Sequence, residues 1–136
     1  MGGLGKIEII NNPRNYSNSI EDLSIKLTND GSVSLHSGLF NESFHDNKGA
    51  KQEAILKFLN PSQINYLGED LKILDVCLGL GYNSCCIFEE LLEKKKIKIT
   101  WRALEIDQRP LKIALGSMNF RKNWSNKTLM NLELIN

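Results

Sequence analysis

The sequence predicts an α/β fold with a parallel sheet, because strands and helices alternate in its second half. Leu71–Cys77 has the apolar character of a buried strand, a glycine-containing loop follows at Leu78–Tyr82, and Asn83–Lys96 has the apolar stripe of an amphipathic helix. Ile97–Ile106 alternates apolar and polar residues as a second strand does, and Pro110 can begin a third helix. A strand, helix, strand and helix in this order form a βαβα unit with parallel strands and right-handed crossovers. The unit corresponds to one half of a Rossmann-like sheet.

Length and composition suit one small globular domain. The chain has 136 residues, of which 41% are hydrophobic and 24% are charged, so it can bury a core. The formal net charge of +1 provides no strong overall field, and a nucleic-acid partner would therefore have to bind a local patch. No apolar stretch approaches the ~20 residues that cross a bilayer, and the first residues lack the apolar run of a signal peptide, so we expect no membrane partner.

The cysteines indicate a reducing compartment. Three are present, Cys77, Cys85 and Cys86, and an odd number with two adjacent residues does not suit a disulfide framework. We therefore expect a cytoplasmic protein. No spacing of cysteine and histidine matches a zinc site, so no metal site is predicted.

The N-terminal part is expected to be an arm followed by a hairpin. Residues 1–22 are predicted to form a flexible arm with one short strand at Ile7–Ile10, and residues 23–136 form the predicted domain. Alternating segments at Leu23–Leu27 and Ser32–His36 flank an Asp-Gly turn, which is a strong hairpin signal. The residues expected on one face of the hairpin are Ile25, Leu27, Val33 and Leu35.

A helix is predicted after the hairpin, over Ala50–Leu59, and Asn60-Pro61 should end it. Its spacing of apolar residues is that of a one-faced helix. The residues expected on its buried face are Ala50, Ala54, Ile55, Phe58 and Leu59. The last segment, Asn119–Asn136, shows no clear pattern.

The loop after the first strand of the unit has the features of a cofactor site. Gly79 and Gly81 allow the backbone to turn tightly and to approach a ligand without Cβ clashes. The helix after the loop offers free N–H groups to polar ligand atoms. Glu105, at the end of the next strand, can accept hydrogen bonds from both ribose hydroxyls, as an acid about 20 residues further along does in dinucleotide sites. An ordinary glycine-rich turn is the alternative interpretation.

The loop spacing disfavours a nicotinamide dinucleotide. The dinucleotide fingerprint Gly-x-Gly-x-x-Gly needs a third glycine where this chain has Ser84, and two bulky residues follow Gly81 directly. The pattern Asp75-x-x-x-Gly79-x-Gly81 instead resembles motif I of the class I methyltransferases that use S-adenosylmethionine (SAM). Those enzymes usually have a further glycine where this chain has Cys77.

Four blocks of sequence extend this resemblance to one family. They are Asp30–Ser37, Phe40–His45, Gly49–Glu53 and Leu78–Asn83, and their order resembles the MnmC-like methyltransferases over roughly residues 28–118. Members of that family use SAM to methylate the aminomethyl group of the wobble uridine, U34, in tRNA. The resemblance therefore implies a SAM-dependent enzyme of tRNA modification with tRNA as its substrate.

The resemblance also implies which residues contact the cofactor. Gly79, Gly81, Tyr82 and Asn83 would line the methionine end, Glu105 would bind the ribose, Glu53 and Phe44 would lie close to the cofactor, and Asp107 would either help with the adenosine or cap the third helix. The catalytic residues are unknown, because the family domain is longer and its amine-facing acid would lie beyond Asn136.

The shorter length leads to two expectations. The domain is expected to be truncated after the second Rossmann strand and the third helix, so that self-association or a partner chain would supply the rest of the sheet. The alternative is a catalytically incomplete remnant that acts as a binding or interaction module.

Four further side chains each have two interpretations. His45 could handle protons in the site or be a hydrogen-bonded loop histidine. Asp75 is expected to orient backbone N–H groups rather than to touch a ligand. Trp124 is expected in the core, although it could stack on a base. Cys77 is expected to be a small buried residue.

Overall fold

The computed structural model describes residues 7–9, 22–92, 94 and 97–134. The described strands are β1 (Ile7–Ile9), β2 (Leu23–Leu27), β3 (Val33–Ser37), β4 (Glu42–Ser43), β5 (Asp70–Val76) and β6 (Lys98–Glu105). The described α-helices are α1 (Ala50–Glu53), α2 (Asn60–Ser62), α3 (Tyr82–Leu92), α4 (Arg109–Gly116), α5 (Met118–Arg121) and α6 (Asn126–Glu133). A π-helix (Ala54–Leu59) joins α1 to α2, and a 3₁₀-helix (Ile64–Tyr66) follows α2. Over these ranges, no helix is long and apolar enough to cross a bilayer.

The predicted parallel unit is present. Strand β5 pairs in parallel with β6, with Asp70 beside Lys98 and Val76 beside Leu104, and α3 forms the crossover between them. Alternate residues of both strands, Leu71 and Asp75 on β5 and Ile99, Trp101 and Ala103 on β6, are buried against the helices. The α/β, Rossmann-like fold class predicted from the sequence is therefore confirmed. Helix α3 begins at Tyr82 and ends at Leu92, so it is shorter than the predicted helix.

Strand β1 adds a third member to this sheet. It pairs in parallel with β6, with Ile7 beside Ala103 and Ile9 beside Glu105, which gives the order β1-β6-β5. A short strand was predicted at this position, but not its pairing. Residues 1–6 and 10–21 of the predicted arm lie outside the described residues.

The predicted hairpin is formed by β2 and β3, and β4 extends it to a second, antiparallel sheet. At the turn, Gly31 has a φ of 79°, and the Asp30 carboxylate accepts hydrogen bonds from the Ser32 N–H and the Thr28 hydroxyl. Ile25 stands opposite Leu35 and Leu27 opposite Val33, so the four residues share a face as expected. Only Val33 and Leu35 are buried, because β2 is the outer strand of this sheet.

The helix after the hairpin is longer and less regular than predicted. It passes through the π-helix and continues into α2, so it ends at Ser62, one residue beyond the Asn60-Pro61 pair that was predicted to end it. Proline has no N–H with which to continue the ladder, and the helix ends one residue later, at Ser62. The wider π-turn also rotates the later residues, and Phe58 is exposed instead of buried.

An aromatic cluster joins the hairpin to the helices. Tyr82 contacts the rings of Phe120 and Trp124 at centroid distances of 5.1 and 5.9 Å. Its hydroxyl donates a hydrogen bond of 2.7 Å to the carbonyl of Val33, and burial raises the pKa of the phenol. Trp124 is buried in this cluster, so it belongs to the core as expected.

The hydroxyl of Tyr82 should contribute measurably to stability, because it is the polar link between α3 and β3. We predict that Tyr82→Phe lowers the free energy of unfolding by about 1 kcal/mol, the usual net value of one internal hydrogen bond. Tyr66→Phe is the control, since Tyr66 is 86% exposed. Urea denaturation of both variants is the measurement, and equal stabilities would contradict the assignment.

Candidate functional site

The candidate site lies at the carboxyl ends of β5 and β6, where Rossmann-like folds bind their ligands. The loop between β5 and α3 surrounds a cavity of about 320 Å³. The cavity is lined by Phe44, His45, Cys77, Leu78, Gly79, Leu80, Tyr82, Asn83, Glu105 and Ile106. Its walls therefore come from the glycine loop, the start of α3, the end of β6 and the segment after β4.

The two predicted glycines have different structural roles. Gly79 and Gly81 both have positive φ angles, of 56° and 91°, which disfavour any residue with a Cβ. At Gly81 a Cβ would also lie 3.2 Å from the Leu132 side chain of α6, so glycine lets α6 pack against the loop. At Gly79 the nearest side chain is Phe44, at 3.8 Å, which is ordinary contact. Glycine at position 79 is therefore favoured by the backbone angle and not by a lack of space.

Cys77 precedes the loop and departs from the expectation that it is buried. Its thiol is exposed and lies in the cavity wall. The residue has a φ of 62°, a left-handed conformation that costs a residue with a side chain roughly 1–2 kcal/mol. This is the position at which the resembling methyltransferases usually have glycine, and the backbone angle gives the physical reason for that preference.

Glu105 connects the glycine loop to the end of β6. One carboxylate oxygen accepts the N–H of Gly79 at 2.7 Å, and the other accepts the N–H groups of Ile106 and Asp107 at 2.8 and 3.0 Å. A carboxylate has about four acceptor positions. Three positions are therefore occupied, and the oxygen that faces Gly79 can accept a further hydrogen bond.

Asp75 supports the loop from below. Its carboxylate accepts a hydrogen bond of 2.5 Å from Ser84, whose hydroxyl in turn accepts the indole N–H of Trp101 at 2.9 Å. Burial raises the pKa of Asp75, the hydrogen bond from Ser84 opposes that effect, and the nearby Glu105 adds to it. Asp75 does not line the cavity, and it orients the start of α3 as the sequence suggested.

Phe44 and His45 form the opposite wall. The N–H of Phe44 donates to the Leu35 carbonyl at 2.8 Å, and His45 Nδ1 lies 2.9 Å from the Ser34 hydroxyl. The His45 ring also meets the Tyr82 ring edge-on at 5.3 Å. His45 is therefore a hydrogen-bonded loop histidine that also lines the cavity, and its handling of protons stays a prediction.

Two predicted cofactor residues are set back from this cavity. Glu53 accepts the N–H of Asp46 at 3.1 Å and an ion pair from Lys57 at 2.8 Å, so it holds the segment that carries His45. Asp107 accepts the N–H of Arg109, the first residue of α4, and pairs with its guanidinium at 2.8 Å, although Gln108 is the N-cap residue of that helix. Neither Glu53 nor Asp107 lines the cavity at the glycine loop. Their contact with a cofactor stays a prediction.

A second cavity of about 160 Å³ adjoins the first, and the sequence did not reveal it. The two share Phe44, Glu105 and Ile106. The second cavity is mostly apolar, and Leu39, Phe40 and Pro110 contribute to it together with Asp107. The sequence feature that could have indicated this cavity is Ile106, an apolar residue directly after Glu105. Its side chain is exposed at the end of strand β6.

The parallel sheet, the glycine loop and the acid at the end of β6 define a Rossmann-like α/β protein. Among solved structures, the crystal structure of MnmC2 from Aquifex aeolicus is similar, with a TM-score of 0.56 and 31% sequence identity over 61% of this chain and 29% of that chain. This likeness supports a relation to the MnmC-like fold in particular.

The similarity found by sequence covers a shorter part of the chain. An uncharacterized protein of Methanocaldococcus jannaschii is 42% identical over 57 residues, which are 42% of this chain and 16% of that protein. No protein-family model matches the chain. The chain therefore covers less than a third of the length of either similar protein.

Because His45 is largely buried in the cavity wall, we expect the stability of the fold to depend on pH. Burial lowers the pKa of His45, and the Glu53 and Asp30 carboxylates oppose that effect only partly. The unfolded chain therefore binds more protons than the folded chain as the pH falls below about 6.5, so stability is lost in that direction. We predict a shallower decline for His45→Asn in urea denaturation at a series of pH values. His36→Asn, at a half-buried histidine that lies 3.3 Å from the Ser43 hydroxyl, is the control, and parallel curves for His45→Asn and the wild type would contradict the prediction.

Proposed function

We propose that the chain binds SAM and belongs to a methyltransferase that modifies the aminomethyl group of the wobble uridine in tRNA. The observation that carries the proposal is the cavity at the strand ends, enclosed by the glycine loop and Glu105. The likeness to MnmC2 and the motif I pattern support the same conclusion.

The residues present fit SAM chemically. Gly79 lets the backbone approach a ligand, and the first turn of α3 offers N–H groups and a positive dipole end to the carboxylate of the methionine moiety. Glu105 has acceptor capacity left for the ribose hydroxyls. The second cavity, with Phe40 and Ile106 in its walls, suits a flat apolar ring. Bound SAM would supply a methyl group that is already activated by a positive sulfur.

The protein's contribution to methyl transfer would be alignment. A neutral amine must approach the methyl carbon in line, and fixed geometry lowers the barrier to such a step. His45 lines the cavity, and burial lowers its pKa, which favours the uncharged ring in a cavity that would hold a positively charged donor. We assign no catalytic residue in this chain. The cytoplasmic location of the protein stays a prediction.

A second candidate function is binding without transfer. The chain covers 29% of the MnmC2 chain, and a domain that holds the donor could depend on other segments for the acceptor. In this case the chain would be a SAM-binding or interaction module. The two candidates share the donor site and differ in turnover.

Calorimetry with SAM, S-adenosylhomocysteine and NAD tests the donor site. We predict heat and a raised melting temperature with the first two ligands and neither with NAD. Glu105→Gln should weaken binding about 10- to 100-fold, the usual cost of one hydrogen bond to a charged group. Glu69→Gln, at an exposed acid on the far end of the sheet, should bind like the wild type. No heat with either adenosyl ligand, or unchanged affinity in Glu105→Gln, would contradict the proposal.

Turnover then separates the two candidates. Transfer of labelled methyl groups to tRNA that carries an unmethylated aminomethyl uridine supports the enzyme. Binding of SAM without transfer to that tRNA supports the module.

A further inference from the structure

The two ring nitrogens of His45 have different surroundings. Nδ1 lies 2.9 Å from the hydroxyl oxygen of Ser34, a residue of β3. In the described part of the chain, Nε2 has no hydrogen-bond partner, and it is not an enclosed atom, since Trp124 Nε1 is the enclosed side-chain nitrogen without a partner there. His45 also lines the cavity at the glycine loop. Nε2 is therefore the ring nitrogen that a ligand in this cavity can reach.

The burial of Ser34 decides which ring nitrogen carries the proton. The Ser34 side chain is completely buried, and His45 Nδ1 is the partner of its hydroxyl among the described residues. If Nδ1 carried the proton, it would donate to the Ser34 oxygen, and the hydroxyl hydrogen would have no acceptor. A buried donor without an acceptor is costly, so the hydroxyl donates to Nδ1 and the proton of the neutral ring is on Nε2.

The charged form of the ring meets the same obstacle. Both of its nitrogens are donors, so it too would leave the Ser34 hydroxyl hydrogen without an acceptor. Burial also lowers the pKa of His45, although the carboxylates of Glu53 and Asp30 act in the opposite direction. The fold therefore favours the neutral ring with its proton on Nε2, which presents a hydrogen-bond donor to the cavity and not a basic lone pair.

A second group of donors borders the same cavity at the start of α3. The His45 ring meets the ring of Tyr82, the first residue of this helix, edge-on with centroids 5.3 Å apart. Tyr82 and Asn83 line the cavity together with His45. The first N–H groups of a helix have no partners within the helix, and they attract anions. A ligand group that satisfies both the helix and the histidine is an anionic oxygen.

We propose that His45 donates a hydrogen bond from Nε2 to the carboxylate of the methionine moiety of the ligand, and that Ser34 is the positioning residue that fixes this donor. The proposal rests on the proposed function, because it states which end of an adenosyl ligand His45 recognises. The other neutral tautomer would have a different preference. Its unprotonated Nε2 would accept a hydrogen bond from the ammonium group of the same moiety and would repel the carboxylate.

Two variants of His45 separate the roles of its nitrogens, because the amide of asparagine reaches the position of Nδ1 and that of glutamine the position of Nε2. We predict that His45→Asn weakens the binding of S-adenosylhomocysteine about 10- to 100-fold in calorimetry, the usual cost of one hydrogen bond to a charged group. His45→Gln, which keeps a donor for the carboxylate, should bind this ligand more tightly than His45→Asn. Circular dichroism confirms that each variant is folded.

A ligand without the carboxylate provides the matched control. Decarboxylated S-adenosylhomocysteine keeps the ammonium group, and it should bind equally well to the wild type and to His45→Asn. An equal loss of both ligands in folded His45→Asn, or a loss of neither, would overturn the carboxylate contact and would leave the donor site itself intact. No heat with S-adenosylhomocysteine in the wild type would instead contradict the donor site and this contact with it.

Nitrogen NMR of the full chain without ligand tests the role of Ser34. Long-range proton–nitrogen spectra distinguish the two neutral tautomers, and at about pH 8 the neutral ring dominates. The wild type should show the His45 proton on Nε2, and Ser34→Ala should show a detectable population with the proton on Nδ1. Ser24→Ala, at an exposed serine of β2, should leave the His45 signals unchanged. A wild-type ring with its proton on Nδ1, or an unchanged tautomer in Ser34→Ala, would overturn the assignment of Ser34.

Discussion

The hydrogen bond between Glu105 and the N–H of Gly79 fixes the geometry on which the candidate site depends. It is possible because β5 and β6 are in register, so that Val76 lies beside Leu104 and the N–H of Cys77 donates to the Leu104 carbonyl at 2.9 Å. The next residue on β6 is then Glu105, which lies against the loop that follows β5. Parallel pairing thus brings together a glycine and an acid that are 26 residues apart.

Two buried contacts keep this loop in place from its other sides. Asp75, Ser84 and Trp101 form a hydrogen-bonded chain beneath the start of α3. Tyr82 ties the same helix to β3 through the Val33 carbonyl, and β3 in turn holds the wall that carries His45. The cavity therefore lies between two sheets that are linked through one helix. A ligand that binds there would meet a loop whose backbone is already constrained, which reduces the entropy that binding must overcome.

The sequence predicted the features that depend on local patterning. The βαβ unit, the Asp-Gly hairpin and the residues of the loop follow from spacing and turn chemistry, and they are where the structure has them. Features that depend on tertiary contact were not predicted. These are the pairing of β1 with β6, the π-helix that exposes Phe58, the left-handed backbone that exposes Cys77, and the second cavity beside Ile106. Two of them, the pairing of β1 and the second cavity, are made by residues that are distant in sequence.

The proposed donor site depends on a loop that a carboxylate holds in a form suited to an adenosyl ligand. The amide resonance of Gly79 reports on that loop directly, and S-adenosylhomocysteine is an unreactive ligand for NMR titration. We predict that the Gly79 resonance shifts to a saturating new position while the hairpin-turn amide of Gly31 does not move. An unchanged Gly79 resonance at millimolar ligand would contradict the account.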